Sequence, residues 1–169
     1  MNILKTVLIA AAALGLAACS ENADTQASTT QASNSASIDP ASISLEPKPG
    51  TGRWYSQDEV VRGKEIFATN CASCHGQNAE ATPNWKTLDA NGNYPPPPLN
   101  GTAHAWHHPL SVLKMVIEEG GEPVGGVMPA WGDTLSDQQI MEVIASFQSY
   151  WPDTVYGQWL VREQSNRGN

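Results

Sequence analysis

Residues 71–76 read CASCHG and hold two of the chain's three cysteines. Four chemistries begin with this spacing: a disulfide, half of a zinc site, a thiol redox pair, and covalent attachment of a haem. A bridge across two intervening residues closes a tiny loop and constrains little unfolded-state entropy. The other three each demand different surroundings, so the rest of the chain has to choose.

The N-terminus bears on the compartment. MNILKTVLIAAAALGLAAC carries one lysine, Lys5, and then an unbroken apolar run from Val7 to Ala18. That run is short of the ~20 residues a membrane-spanning helix needs. It fits the apolar region of a secretory leader, so residues 1–18 are expected to be a signal peptide. Leu16-Ala17-Ala18-Cys19 resembles a bacterial lipobox. That resemblance implies cleavage before Cys19 and lipid attachment there, with several acyl chains forming a stable anchor. Ser20 follows, where an aspartate is absent, which by analogy favours the outer membrane weakly.

With Cys19 assigned to the anchor, Cys71 and Cys74 stand alone. A zinc site would need two more sulfur or imidazole ligands at matching spacing, and no further cysteine exists. A thioredoxin-like site would need a strand before the motif, and a helical pattern precedes it. His75 directly after the second cysteine favours c-type haem.

Charge narrows the partners. Loss of Lys5 with the leader leaves about −9, against −8 for the full chain. Nucleic acid is therefore not expected as a partner. Residues 20–37, SENADTQASTTQASNSAS, contain nothing more apolar than alanine and are expected to stay disordered. Pro40, Pro47, Pro49 and Gly50 extend the irregular segment, so residues 19–53 read as a lipid-anchored linker. As a flexible coil, Ser20 to Gly50 would span roughly 30 Å. The folded domain is expected over 54–160, with 161–169 a C-terminal tail. There is no internal repeat, which predicts one haem site.

Three helices are legible. Ser56 with Glu59 makes a capping box, and Tyr55 with Val60 a hydrophobic staple. Val60, Gly63, Phe67 and Cys71 then share one face. Gly63, costly inside a helix, predicts a close crossing there. A second helix follows Pro109, with Leu110, Leu113, Val116 and Ile117 as its stripe and Gly120 or Gly121 as its stop. A third starts at the box of Ser136 and Gln139 and ends by Pro152. Ile140, Val143, Ile144, Phe147 and Trp151 lie on one face of it. No strand is expected, so the fold class is all-α.

With CASCH at 71–75, PPLNG at 97–101 and GGVMPAW at 125–131, residues 54–160 resemble the class I c-type cytochromes. The resemblance implies helices packed around one haem c, joined covalently through Cys71 and Cys74. It implies His75 as proximal iron ligand and Met128 as distal ligand. It implies that the Pro97 carbonyl accepts the His75 Nδ1 proton, which raises ligand basicity. Leu99 would pack on the haem face, and Gly63 and Phe67 would cross the last helix. The chain departs from the family at Ser146, where an aromatic is usual; Phe147 would substitute, or the crossing would be looser. The stretch 77–96 is also longer than in minimal members.

His/Met ligation raises the reduction potential relative to two histidines, since soft neutral sulfur favours the reduced metal. The function expected is one-electron transfer in a periplasmic or membrane-associated redox chain, by a carrier that is not itself an enzyme and takes no small-molecule substrate. The partners are redox proteins, and the membrane through the lipid at Cys19. Two alternatives are kept: a haem subunit relaying electrons within a larger oxidoreductase, and a gas-binding or peroxidase-like protein with a labile Met128. Met115 and Met141 read as packing. His104, His107 and His108 read as a loop beside the haem, with His108 a candidate cap for the Pro109 helix, rather than as a separate copper or zinc site. Asp58-Glu59 and Glu118-Glu119 read as helix-end or solvated charges.

Overall fold

The computed structural model describes residues 37–124 and 126–168. The expected leader, Cys19 and residues 20–36 lie outside them. Among the described residues, five α-helices follow in order: α1 Gln57–Asn70, α2 Ala72–His75, α3 Leu110–Glu119, α4 Asp137–Gln148 and α5 Asp153–Arg167. No strand occurs among the described residues, so the fold is all-α. None of their helices is long and apolar enough to cross a membrane.

Both capping boxes form. Ser56 and Glu59 close the start of α1 reciprocally, and Ser136 and Gln139 do the same for α4. The two helices then cross at Gly63. A Cβ built on Gly63 would stand 1.9 Å from the Glu142 carbonyl oxygen and 3.0 Å from the Ser146 Cβ. The crossing is therefore tight, not loosened, where the aromatic is missing. Ser146 is buried, its hydroxyl donating to the Val143 carbonyl at 2.7 Å, and a ring in its place would meet the α1 backbone. Phe147 is buried too, 6.2 Å from the Trp151 ring.

Helix α3 buries Leu110, Leu113 and Ile117, with Val116 half-buried. It also buries Lys114, whose ammonium reaches Glu118 at 2.6 Å and Asp137 at 3.2 Å, tying α3 to the first residue of α4. Gly120 ends α3 at φ +86°, a conformation only glycine adopts without cost. Met141 is buried among core residues, as expected of packing.

Three boundaries differ from the sequence reading. The expected tail 161–169 instead continues α5 through Arg167. Tyr156, Trp159 and Glu163 are buried along that helix. The start of α3 is capped by Glu163 rather than His108: its carboxylate accepts the Leu110 N–H at 2.8 Å. Residues 38–53, expected as linker, are seated on the domain. Ile38, Ile43 and Leu45 pack against the core. The Ile38 N–H donates to Asp137, and the Arg167 guanidinium donates to the carbonyls of Pro40, Ala41 and Ile43. Arg53 donates to the carbonyls of Gln148 and Trp151 at 2.6 and 2.7 Å and pairs with Asp153 at 3.0 Å. Prolines and polar residues suggested a free chain, but it is the partners on α4 and α5 that hold this strap.

Candidate functional site

Helix α1 runs directly into the cysteine motif. Cys71 donates its N–H to Phe67, closing α1, and its carbonyl accepts from Cys74 and His75 at 3.1 and 2.9 Å. The result is the single turn α2. It sets Cys71, Cys74 and His75 at steps of three and four residues, on neighbouring positions of one face.

The ring of His75 is buried, and its Nδ1 lies 3.0 Å from the Pro97 carbonyl oxygen. A carbonyl can only accept, so Nδ1 carries the proton and Nε2 of the neutral ring keeps its lone pair. Burial pushes the His75 pKa down, and the Pro97 contact only partly restores it. The imidazole is thus neutral and free to bind metal at neutral pH.

Cys71 and Cys74 are not bridged. Burial, with Cys74 beside it, pushes the Cys71 thiol up to about 11. Thiol-exchange sites need the opposite shift, toward thiolate. The turn thus presents two unbridged thiols beside a neutral imidazole.

The backbone after the motif is unusual. Gly76, Ala79 and Ala81 all have positive φ, at 79°, 58° and 57°. For the two alanines this costs of order 1 kcal/mol each. It lets the Ala81 N–H return to the His75 carbonyl at 2.6 Å and aims the Ala79 carbonyl at the N–H groups of Leu99 and Asn100, at 2.8 and 3.2 Å. Nothing in the residue type alanine signals such a turn, and the sequence reading missed it.

Met128 sits half-buried on a loop held to the end of α3. The Gly121 N–H donates to the Met128 carbonyl at 2.9 Å, and Trp131 and Gly132 donate to Ile117 and Glu118. A Cβ on Gly120 would stand 2.8 Å from the Met128 carbonyl oxygen. Gly120, legible as a helix stop, thus also gives the methionine loop its seat. Cys71, Leu99 and Met128 all border the same hydrophobic core.

The insert 77–96 runs beside Pro97. Trp85, Lys86, Tyr94, Pro95, Pro97 and His104 line an open pocket of about 440 Å³. His104 and His108 have ring centroids 5.6 Å apart, and His107 meets the Trp106 ring edge-on. Among the described residues, no three His, Cys, Asp or Glu side chains group so as to hold a metal ion.

The donor set fits a covalently bound haem: two thiols for thioethers, a neutral imidazole fixed through Nδ1, and a thioether on a glycine-backed loop, around apolar side chains. Such an all-helical domain with a CxxCH turn defines the class of c-type cytochromes. The chain belongs to the family described as cytochrome c oxidase, cbb3-type, subunit III, whose pattern matches residues 58–145. It is 36% identical over 84 residues to the cbb3-type cytochrome c oxidase subunit FixP of Sinorhizobium medicae, covering 50% of this chain and 25% of that protein. It is 37% identical over 81 residues to FixP of Azorhizobium caulinodans, covering 47% and 23%. It is 33% identical over 79 residues to the cbb3-type subunit CcoP of Azospirillum brasilense, covering 47% and 24%. The chain thus aligns with about a quarter of the length of these curated relatives. No solved structure matches it. Family membership implies a c-type haem and electron transfer.

Proposed function

We propose that this chain is a one-electron carrier domain that would hold one haem c through Cys71 and Cys74, with His75 and Met128 binding its iron. The observation that carries the reading is the His75 Nδ1 to Pro97 carbonyl contact at 3.0 Å, on the turn that presents both thiols. It leaves one ring nitrogen for iron and fixes the ring's orientation. The haem, when bound, supplies one-electron storage. The chain's residues would hold it: α2 positions the thiols and imidazole, Gly120 and Gly121 seat the Met128 loop, and Leu99 borders the same apolar core as Cys71 and Met128. With His75 and Met128 both binding the iron, side chains rather than small molecules would hold the metal. Sequence alone supports the further proposal that Cys19 is lipidated, tethering the domain at the periplasmic face of a bacterial membrane and raising its effective concentration near membrane partners.

The test is the visible spectrum of the haem-loaded protein, oxidised and reduced, before and after carbon monoxide. The expected result is a red-region sulfur-to-iron band in the oxidised form and no change when carbon monoxide meets the reduced form. Ready carbon monoxide binding without the sulfur band would overturn Met128 as ligand and with it the simple carrier.

A second reading rests on the relatives, which are named as oxidase subunits. On that reading the domain passes electrons within a larger oxidoreductase. Gentle extraction from native membranes separates the two: a stable complex with oxidase activity supports the subunit, and a monodisperse monohaem protein supports the free carrier.

A further inference from the structure

Trp151 lies outside the haem-binding motifs, at the junction of α4 and α5, and is fully buried. Its indole N–H donates to the Leu99 carbonyl at 2.7 Å. The Leu99 N–H in turn donates to the Ala79 carbonyl at 2.8 Å. One residue is therefore pinned on both sides, by the turn after the cysteine motif and by the far end of the domain. Between Leu99 and the Pro97 carbonyl stands only Pro98, itself buried. Proline locks φ near −65°, so this link is stiff and transmits position.

The indole is itself held. Arg53 donates to the Trp151 carbonyl at 2.7 Å and to the Gln148 carbonyl at 2.6 Å. Gly101 lies against the ring: a Cβ there would stand 3.1 Å from the indole Cδ1. The chain of contacts runs from Arg53 to Trp151, to Leu99, through Pro98 to Pro97, and so to His75 Nδ1.

We propose that Trp151 is a positioning residue that holds the Pro97 carbonyl on His75 Nδ1 and thereby tunes the reduction potential of the haem. The inference rests on the reading of His75 as iron ligand. A firm hydrogen bond from Nδ1 makes the imidazole a stronger donor and favours the oxidised iron. Hydrogen bonding around the ligands is one of the levers by which a protein sets haem potential. Releasing the carbonyl weakens that bond and raises the potential.

The experiment compares the full, haem-loaded chain with Trp151→Phe and Trp159→Phe. Trp159 is the control: it is equally buried, but its N–H goes to the His108 carbonyl at 3.1 Å, away from the Pro97 loop. Three quantities are read: thermal stability, midpoint potential, and hydrogen exchange of the His75 Nδ1–H by NMR in the reduced protein. Both variants are expected to lose some stability. Only Trp151→Phe is expected to raise the potential and to speed Nδ1–H exchange, by roughly fivefold for one neutral hydrogen bond. Unchanged exchange in Trp151→Phe, or equal effects in Trp159→Phe, overturns the proposal. Faster exchange with an unmoved potential overturns the tuning, whereas His75 ring-proton signals that lack the paramagnetic shift of an iron ligand in the oxidised protein would overturn the reading of His75 as ligand on which the proposal rests. Should Trp151→Phe fail to mature, native-state exchange in the unaltered protein decides. The Trp151 Nε1–H and His75 Nδ1–H must then open with the same denaturant dependence, and independent opening overturns the coupling.

Discussion

At the α1–α4–α5 end, side chains pack on side chains. Ile140, Ile144 and Trp159 are 0% exposed, and Tyr55, Trp151, Tyr156 and Trp159 form a run of ring contacts 5–7 Å apart, within the usual range for aromatic pairs. Around Cys71, His75 and Met128 the ties are mostly backbone hydrogen bonds between loops, and Cys74 is exposed while Met128 is half-buried. The first region carries the stability of the domain through buried apolar area. The second holds the candidate ligands in place with glycines, prolines and left-handed alanines, and buries less. The two meet at Trp151, whose ring belongs to the core and whose N–H belongs to the site.

If that division is right, substitutions at the two ends separate stability from spectroscopy. The largest effect is expected for Trp159→Ala, at about 3–5 kcal/mol in urea unfolding. Met128→Ala should instead lose the sulfur-to-iron band while circular dichroism still shows the helices. A stability loss for Met128→Ala as large as that for Trp159→Ala would break the comparison.

Next comes the crossing. Gly63→Ala puts a methyl where only 1.9 Å separates it from the Glu142 carbonyl oxygen, so α1 and α4 must part. A cost of about 3 kcal/mol is expected, read as a lower urea midpoint. A neutral outcome would mean that the two helices have room the structure denies them.

Glu163→Ala removes the cap of α3 and the partner of Arg167 together. About 2 kcal/mol is expected, with faster amide exchange at Leu110 as the local signature. Absence of that local signature would mean α5 does not hold α3.

The smallest effect concerns the strap. Burial raises the Asp137 carboxyl, but the Ile38 N–H and Lys114 outweigh it and hold its pKa below the ordinary range. A depressed carboxylate contributes stability above its unfolded pKa of about 3.9, and that contribution is lost as pH falls through the folded value. The gap in melting temperature between the wild type and Asp137→Asn should thus be full at pH 6 and shrink below about pH 4. The stability difference at pH 6 behind that gap should be under about 1 kcal/mol. A gap that widens on acidification would reverse the assignment.

What the sequence determined by itself is local. The boxes at Ser56 and Ser136 and the Gly120 stop each depend on residues within four positions of one another, so residue type and spacing suffice. Cys71, Cys74 and His75 stood out for the same reason, since the cysteine motif is a single turn, whereas Met128 and Pro97 were implied by the resemblance to the c-type cytochromes. Only the tertiary structure decided the rest. The strap over 38–53, the Glu163 cap, the seat of the Met128 loop on Gly120 and Gly121, and the indole bond to Leu99 all join residues distant in sequence or hidden by residue type. Such pairings are set by which surfaces the packed helices bring together, and a linear pattern does not encode that. Ala79 and Ala81 make the point most sharply, because their left-handed backbone exists only where bonds to Leu99, Asn100 and His75 offset its cost.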